Sequence, residues 1–162
     1  MMWPMKVTHS VRYDASVEDV YAMLSDPAFR ERTTRAQGAT SVNVTIDGGH
    51  IEIDFRRPND DIPSFARKFA GGAELHATQT EEWADDDYSA TMTVDTEGVP
   101  AGVVGTRTLI EDGDGTIDQF EGDATARIPL VAGKIEKLIA EKFVEGWNNE
   151  HAQGVAWLGG NR

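Results

Sequence analysis

Between Val42 and Ile128 the chain runs through six short stretches that read as strands, separated by turn residues, and one long stretch with helical spacing follows directly. That order constrains the fold more than any other feature. Strands with a side-chain period of two present an apolar face that needs a covering layer. The one element long enough to cover a meander of this size is the helix expected from about Leu130 to Trp157, so the sheet must curl around it.

A further strand, Met5 to Tyr13, precedes the meander. Ser16 can cap the helix that follows it, with Asp19 at the capping-box position, and Val17, Val20, Tyr21 and Leu24 form its apolar face. Asp26-Pro27 starts a second helix, with Asp as cap and Pro at the first position, and Gly38 ends it. The meander then reads as Val42 to Ile46, the turn Asp47-Gly48-Gly49, Ile51 to Phe55, Leu75 to Trp83, Tyr88 to Val94, Gly102 to Glu111, and Ile117 to Ile128. Ile62, Phe65, Ala66 and Phe69 make a short amphipathic turn placed where a lid can lie. The expected architecture is α+β: a curved seven-stranded antiparallel sheet, two short helices after strand one, and a long C-terminal helix, in a single domain spanning residues 1–162.

The entry Val11-Arg12-Tyr13-Asp14-Ala15-Ser16-Val17-Glu18-Asp19-Val20-Tyr21, the stretch Leu24-Ser25-Asp26-Pro27 and the junction from Ile128 to Glu136 resemble the START/birch-pollen-allergen helix-grip superfamily, also called SRPBCC, which includes polyketide cyclases. Within it the chain resembles an uncharacterised actinobacterial branch, over nearly its whole length. The resemblance implies a hydrophobic cavity between sheet and long helix. It carries over no catalytic residue, because the superfamily shares no catalytic motif, and its members range from carriers to enzymes.

Charge and composition narrow the partners. A formal net charge of −13 argues against nucleic acid, whose phosphates need clustered Lys and Arg, and against anionic membrane surfaces. Without cysteine there are no disulfides, thiol nucleophiles or thiolate metal sites. No apolar run approaches the ~18 residues of a spanning helix, and the first residues show no signal-peptide pattern. The expectation is a soluble cytoplasmic domain without stable membrane insertion, cofactor or metal. Asp112-Gly113-Asp114-Gly115 with Glu121 overlays part of a calcium loop, but Ile110 occupies the first ligand position and the flanks read as strands, so a hairpin turn is expected. There is no phosphate-binding glycine loop, zinc-protease motif or nucleophile elbow.

On the long helix Val131, Ile135, Leu138, Ile139, Phe143 and Trp147 share a stripe that also contains Gly146, Glu150 and Gly154. Two readings follow. The glycines leave room for a ligand with Glu150 pointing into it, or the helix frays after Asn149 and Glu150 faces water. On the strands, period two places Gln79 and Glu81 on the face of Leu75 and Trp83, and Arg107 with Gly105 and Leu109. An inward Glu81 and Arg107 would need each other or a ligand group, whereas a bulge would leave both in water. Candidate ligand-binding residues are Phe55, Trp83, Tyr88, Met92, Arg107, Phe120, Phe143, Trp147 and Glu150, with Phe65 and Phe69 at a lid.

The leading expectation is a protein that binds or carries a small hydrophobic molecule such as a lipid, quinone or polyketide-like compound. A cyclase, dehydratase or hydrolase using the same cavity would need two of Glu81, Arg107, Glu150 and His151 within hydrogen-bond reach inside it. A filled core with a partner-binding exterior is the third reading.

Overall fold

The computed structural model describes residues 4–68, 74–84 and 87–162. β1 (Met5–Tyr13) is followed by α1 (Val17–Leu24) and α2 (Pro27–Ala36). Ser16 Oγ accepts from Asp19 N at 3.1 Å, and Asp26 accepts from Ala28 N at 2.9 Å ahead of Pro27, so both helices begin where the capping residues stand. The meander is β2 (Ser41–Asp47), β3 (His50–Pro58), β4 (Glu74–Trp83), β5 (Ser89–Thr96), β6 (Ala101–Asp112) and β7 (Gly115–Ala126), with α3 (Ser64–Arg67) between β3 and β4 and α4 (Ala132–Leu158) last. All seven strands join one antiparallel sheet in the order β1-β7-β6-β5-β4-β3-β2, so β1 adds to the end of the meander beside β7. Among the described residues no helix is long and apolar enough to cross a membrane.

The Asp112 to Gly115 segment is the β6–β7 hairpin turn, with Gly113 at φ 61, and the Asp112 carboxylate accepts from Arg12 Nε at 2.9 Å. The turn residues therefore serve pairing and an ion pair, as the hairpin reading requires. At the next junction the boundaries shift by two residues: β7 ends at Ala126 and α4 starts at Ala132. Pro129 has no N–H to continue the ladder, and the buried Glu136 carboxylate accepts from Ala126 N at 2.9 Å and closes the strand end.

α4 continues unbroken to Leu158 and does not fray after Asn149. It packs mainly on β1, β7 and β6 and on α1 and α2. At its C-terminal half Trp157 meets Phe29 of α2 edge-on at 5.3 Å. Gly154 sits where a Cβ would lie 2.7 Å from Tyr13 Cε1 and 2.9 Å from its hydroxyl. This glycine admits the Tyr13 ring, not a ligand, and at Gly146 a Cβ would lie 2.7 Å from Gln37 Oε1, so both glycines of the stripe make room for side chains of this chain, which corrects that part of the expectation.

The inner face of the sheet is thus covered unevenly. Under α1, α2 and the end of α4, the side chains Tyr13, Val20, Phe29, Trp83 and Leu109 form a filled core. Over β6 and β7, Phe120 lies across the Gly105–Gly122 pair and packs on Phe143 and Trp147 of α4. The inward residues of β3, β4 and β5 nearest α3 have no comparable cover, and the cavity opens there.

Candidate functional site: an apolar cavity with a charged end

The cavity measures about 740 Å³. Ile53 and Phe55 of β3, Leu75 and Ala77 of β4, and Met92 and Val94 of β5 form one wall. Ile135, Leu138, Ile139, Phe143 and Trp147 of α4 face them, and Ile62 and Ala66 close one side. The size and apolar lining are those of a small-molecule site. At the rim the exposed Asp61 pairs with Arg57 at 3.3 Å and with Lys142 at 3.2 Å.

The charged end is a cluster of five buried ionisable side chains from five elements. Arg107 of β6, fully buried, donates through Nε and Nη2 to Asp118 of β7 at 3.0 and 2.6 Å. Its Nη2 also reaches Glu150 of α4 at 2.6 Å, and Nη1 reaches Glu81 of β4 at 3.3 Å. Arg30 of α2 donates to Glu81 at 2.6 Å, to Glu150 at 3.4 Å, and through Nε to Leu24 O at 2.7 Å. Gln79 and Trp83 complete the shell of Glu81, donating at 2.7 and 2.9 Å. The Trp147 ring lies 4.2 Å from the Arg107 guanidinium carbon. Such burial is tolerated because every charge has oppositely charged partners in hydrogen-bonding geometry.

The protonation balance follows from the count of three carboxylates to two guanidiniums. Burial alone would raise the Glu81 carboxyl, but Arg30, Arg107 and Gln79 outweigh it and hold it at about 2, below an ordinary 4.5. For Asp118 burial prevails, helped by Glu150 and Glu81 against Arg107, and its carboxyl is held above the ordinary 3.8. A depressed folded-state value contributes stability above the unfolded value, and that contribution is lost as pH falls from about 4.5 through about 2. The raised Asp118 acts with the opposite sign, contributing most below 3.8 and losing that contribution as pH rises through its folded value. The stability gap between the protein and a Glu81→Gln variant should therefore narrow between pH 5 and pH 2 in urea titrations. A gap that stays constant over that range would show that Glu81 is not held ionised by the arginines.

The structure brings together six of the residues singled out from sequence: Phe55, Met92, Arg107, Phe143, Trp147 and Glu150 all border the cavity. Four others lie elsewhere. Trp83 and Tyr88 pack edge-on against Tyr21 at 5.3 and 5.4 Å in the filled core, because α1 covers that end of the sheet. Phe120 faces inward but is sealed behind Phe143 and Trp147. Phe65 is 38% exposed on the outer side of α3, with Lys134 Nζ 5.8 Å from its ring, so Ile62 and Ala66 take the inward positions instead. Phe69 lies outside the described residues. His151 meets Arg12 O at 2.8 Å and stacks near Tyr13, away from the cavity.

Arg30 and Asp118 escaped the sequence reading. Asp118 stands two residues before Phe120, so the same alternation that turned Phe120 inward places it beside Arg107. Arg30 follows Phe29 on a short helix whose pattern gives no sign that a cation will be enclosed.

A family model described as "Protein of unknown function (DUF2505)" matches residues 8–158, almost the whole chain. The chain belongs to the DUF2505 family. No curated protein matches it significantly. Among solved structures this DUF2505 chain is similar to TTHA0849 from Thermus thermophilus, with TM-score 0.64 and 17% identity over 91% of this chain and 92% of that one. It is also similar to the ZhuI aromatase/cyclase from Streptomyces sp. R1128, with TM-score 0.61 and 14% identity over 94% and 90% of the two chains. The di-domain ARO/CYC BexL from the BE-7585A biosynthetic pathway matches with TM-score 0.60 and 17% identity, over 94% of this chain and 48% of BexL. At these identities the likeness is one of fold alone: this chain shares with those structures the arrangement of an antiparallel sheet against a long C-terminal helix.

Proposed function

We propose that this DUF2505 protein binds a small, mostly apolar molecule in the cavity between β3–β5 and α4. The observation that carries the reading is the 740 Å³ space itself, bounded by aliphatic and aromatic side chains and ending at a satisfied charged cluster. A core that needed only to fold would close over so much apolar surface, since packed interiors leave few voids larger than a water. The filled-core alternative required a solid interior and loses its support.

An enzyme using the same cavity has one observation in its favour, the 2.6 Å contact between Arg107 and Glu150 at the cavity's end. Arg107 remains protonated, however, its cation favoured by Asp118, Glu150 and Glu81 against the cost of burial. Glu150 is held by two guanidiniums, which suits anchoring better than proton transfer.

Native mass spectrometry of the purified protein, followed by solvent extraction, tests the binding reading. A stoichiometric apolar passenger is expected, or failing that a rise in melting temperature with a panel of apolar ligands. Ala77 faces the cavity opposite Phe55 on the neighbouring strand, and Ala77→Phe would project a ring into the space. That variant should abolish both signals while keeping a cooperative melt. Binding that survives in Ala77→Phe would place the ligand elsewhere, and an empty protein that no ligand stabilises would end the proposal.

A further inference from the structure

Resting on that reading, the directions of the hydrogen bonds around the cavity's polar end identify the chemistry of the ligand's head. The two cations there are each engaged through all three nitrogens, chiefly by the cluster's own carboxylates. Arg107 is fully buried with all three guanidinium nitrogens bonded to Asp118, Glu81 and Glu150. Arg30, equally buried, has Nε, Nη1 and Nη2 on Leu24 O, Glu150 and Glu81.

The neutral polar groups bordering the cavity follow the same rule. Gln79 donates its amide N–H to a Glu81 carboxylate oxygen at 2.7 Å, and Gln37 donates its own to Thr33 O at 3.2 Å. Both partners accept only, so the orientation of each amide is chemically determined and its carbonyl oxygen is left without that task. Thr34 directs its hydroxyl hydrogen to Arg30 O at 2.7 Å, leaving the oxygen lone pairs. Asn149 Oδ1 is buried with no hydrogen-bond partner among the described residues. Glu150 adds a carboxylate, and its side chain, 10% exposed, is the most accessible of the cluster. Among the donors that border the cavity, Trp147 Nε1 is buried without a partner among the described residues, and Gln79 and Gln37 each keep a second amide N–H beside the one already described.

We infer that the ligand carries a hydrogen-bond-donating, non-anionic head, a hydroxyl or an amine, on an apolar body. Such a head satisfies the acceptors, and a hydroxyl also accepts from an indole N–H. A carboxylate or phosphate would bring a fourth negative charge to a cluster that already holds three carboxylates against two guanidiniums, while the cavity's other cations, Arg57 and Lys142, sit at the rim paired with Asp61. A fully oxidised quinone, which only accepts, would leave the acceptors unmet.

The test is displacement of the neutral fluorescent probe N-phenyl-1-naphthylamine at pH 7.5 by 1-decanol, decylamine and decanoate, which share one chain and differ in head. Decanol or decylamine is expected to displace the probe at about one-tenth or less of the decanoate concentration, and the stronger of the two tells hydroxyl from amine. Gln37→Leu, which removes one acceptor from a half-buried side chain outside the charged cluster, should reduce that preference about 2- to 10-fold. Decanoate equal to or stronger than both would overturn the inference while leaving the cavity as a binding site. If the probe and all three ligands fail to bind, the binding reading falls and the inference with it.

Discussion

Arg107→Met should lower the unfolding free energy by about 4 kcal/mol, the scale on which breaking a buried ion pair destabilises a protein. The substitution keeps much of the side-chain volume but removes the donors that Asp118, Glu81 and Glu150 share. Three carboxylates would then face Arg30 alone, and Arg30 does not reach Asp118. With total stabilities of about 5–15 kcal/mol, such a loss leaves little margin. Arg107→Lys should fall between the two, because an ammonium restores the charge but not the fork that serves carboxylates in three directions. Urea denaturation at neutral pH measures all three proteins. A loss below about 1 kcal/mol for Arg107→Met would mean that the carboxylates are met by protons or water, and that the cluster is not the buried, charge-paired structure described above.

Gly154→Leu should cost about 3 kcal/mol, in the range for overpacking a closed core. Its first side-chain carbon would already lie 2.7 Å from Tyr13 Cε1 and 3.1 Å from Met23 Cε, and Tyr13 is 1% exposed with no free space to enter. Gly133 provides the control. Nothing lies within 4 Å of the Cβ it would gain, so Gly133→Ala should be neutral or stabilising by up to about 1 kcal/mol through helix propensity. Thermal melts of the two variants check the contrast. A Gly154→Leu protein that melts normally yet loses ligand would return this position to the cavity wall and contradict the packing against Tyr13.

Both variants bear on how α4 is held. The Arg107–Glu150 contact ties its middle to β6, Arg30 ties the same glutamate to α2, and Gly154 lets its last turns settle on Tyr13 of β1. These attachments lie on one side of the cavity. On the other side, from Ile135 to Phe143, the helix faces β3–β5 across open space. The rigid half and the empty half of the interior are thus consequences of the same helix.

Much of this was legible in the residues themselves. Alternation along β4 turned Glu81 inward with Ala77 and Trp83, alternation along β6 turned Arg107 inward, and the helical stripe carried Glu150 to meet them. Caps at Ser16 and Asp26 and the turn at Asp112-Gly113 marked element ends to within a residue or two. These are local properties: periodicity decides which face a side chain takes, and capping chemistry decides where a helix begins. Which part of an inward face is covered is a different matter. Trp83, Tyr88 and Ala77 share one inner surface, yet only Ala77 borders the cavity, because α1 packs over the other two and leaves the third open. Likewise Arg30 and Asp118 acquire their partners only when α2 and β7, far apart in the chain, close on Arg107 and Glu81. The sequence alone determined the strands, the helices and the side each residue faces; the docking of α1, α2 and α4 decided where the interior is filled, where it is charged and where it is empty, since those depend on contacts between segments that no local period encodes.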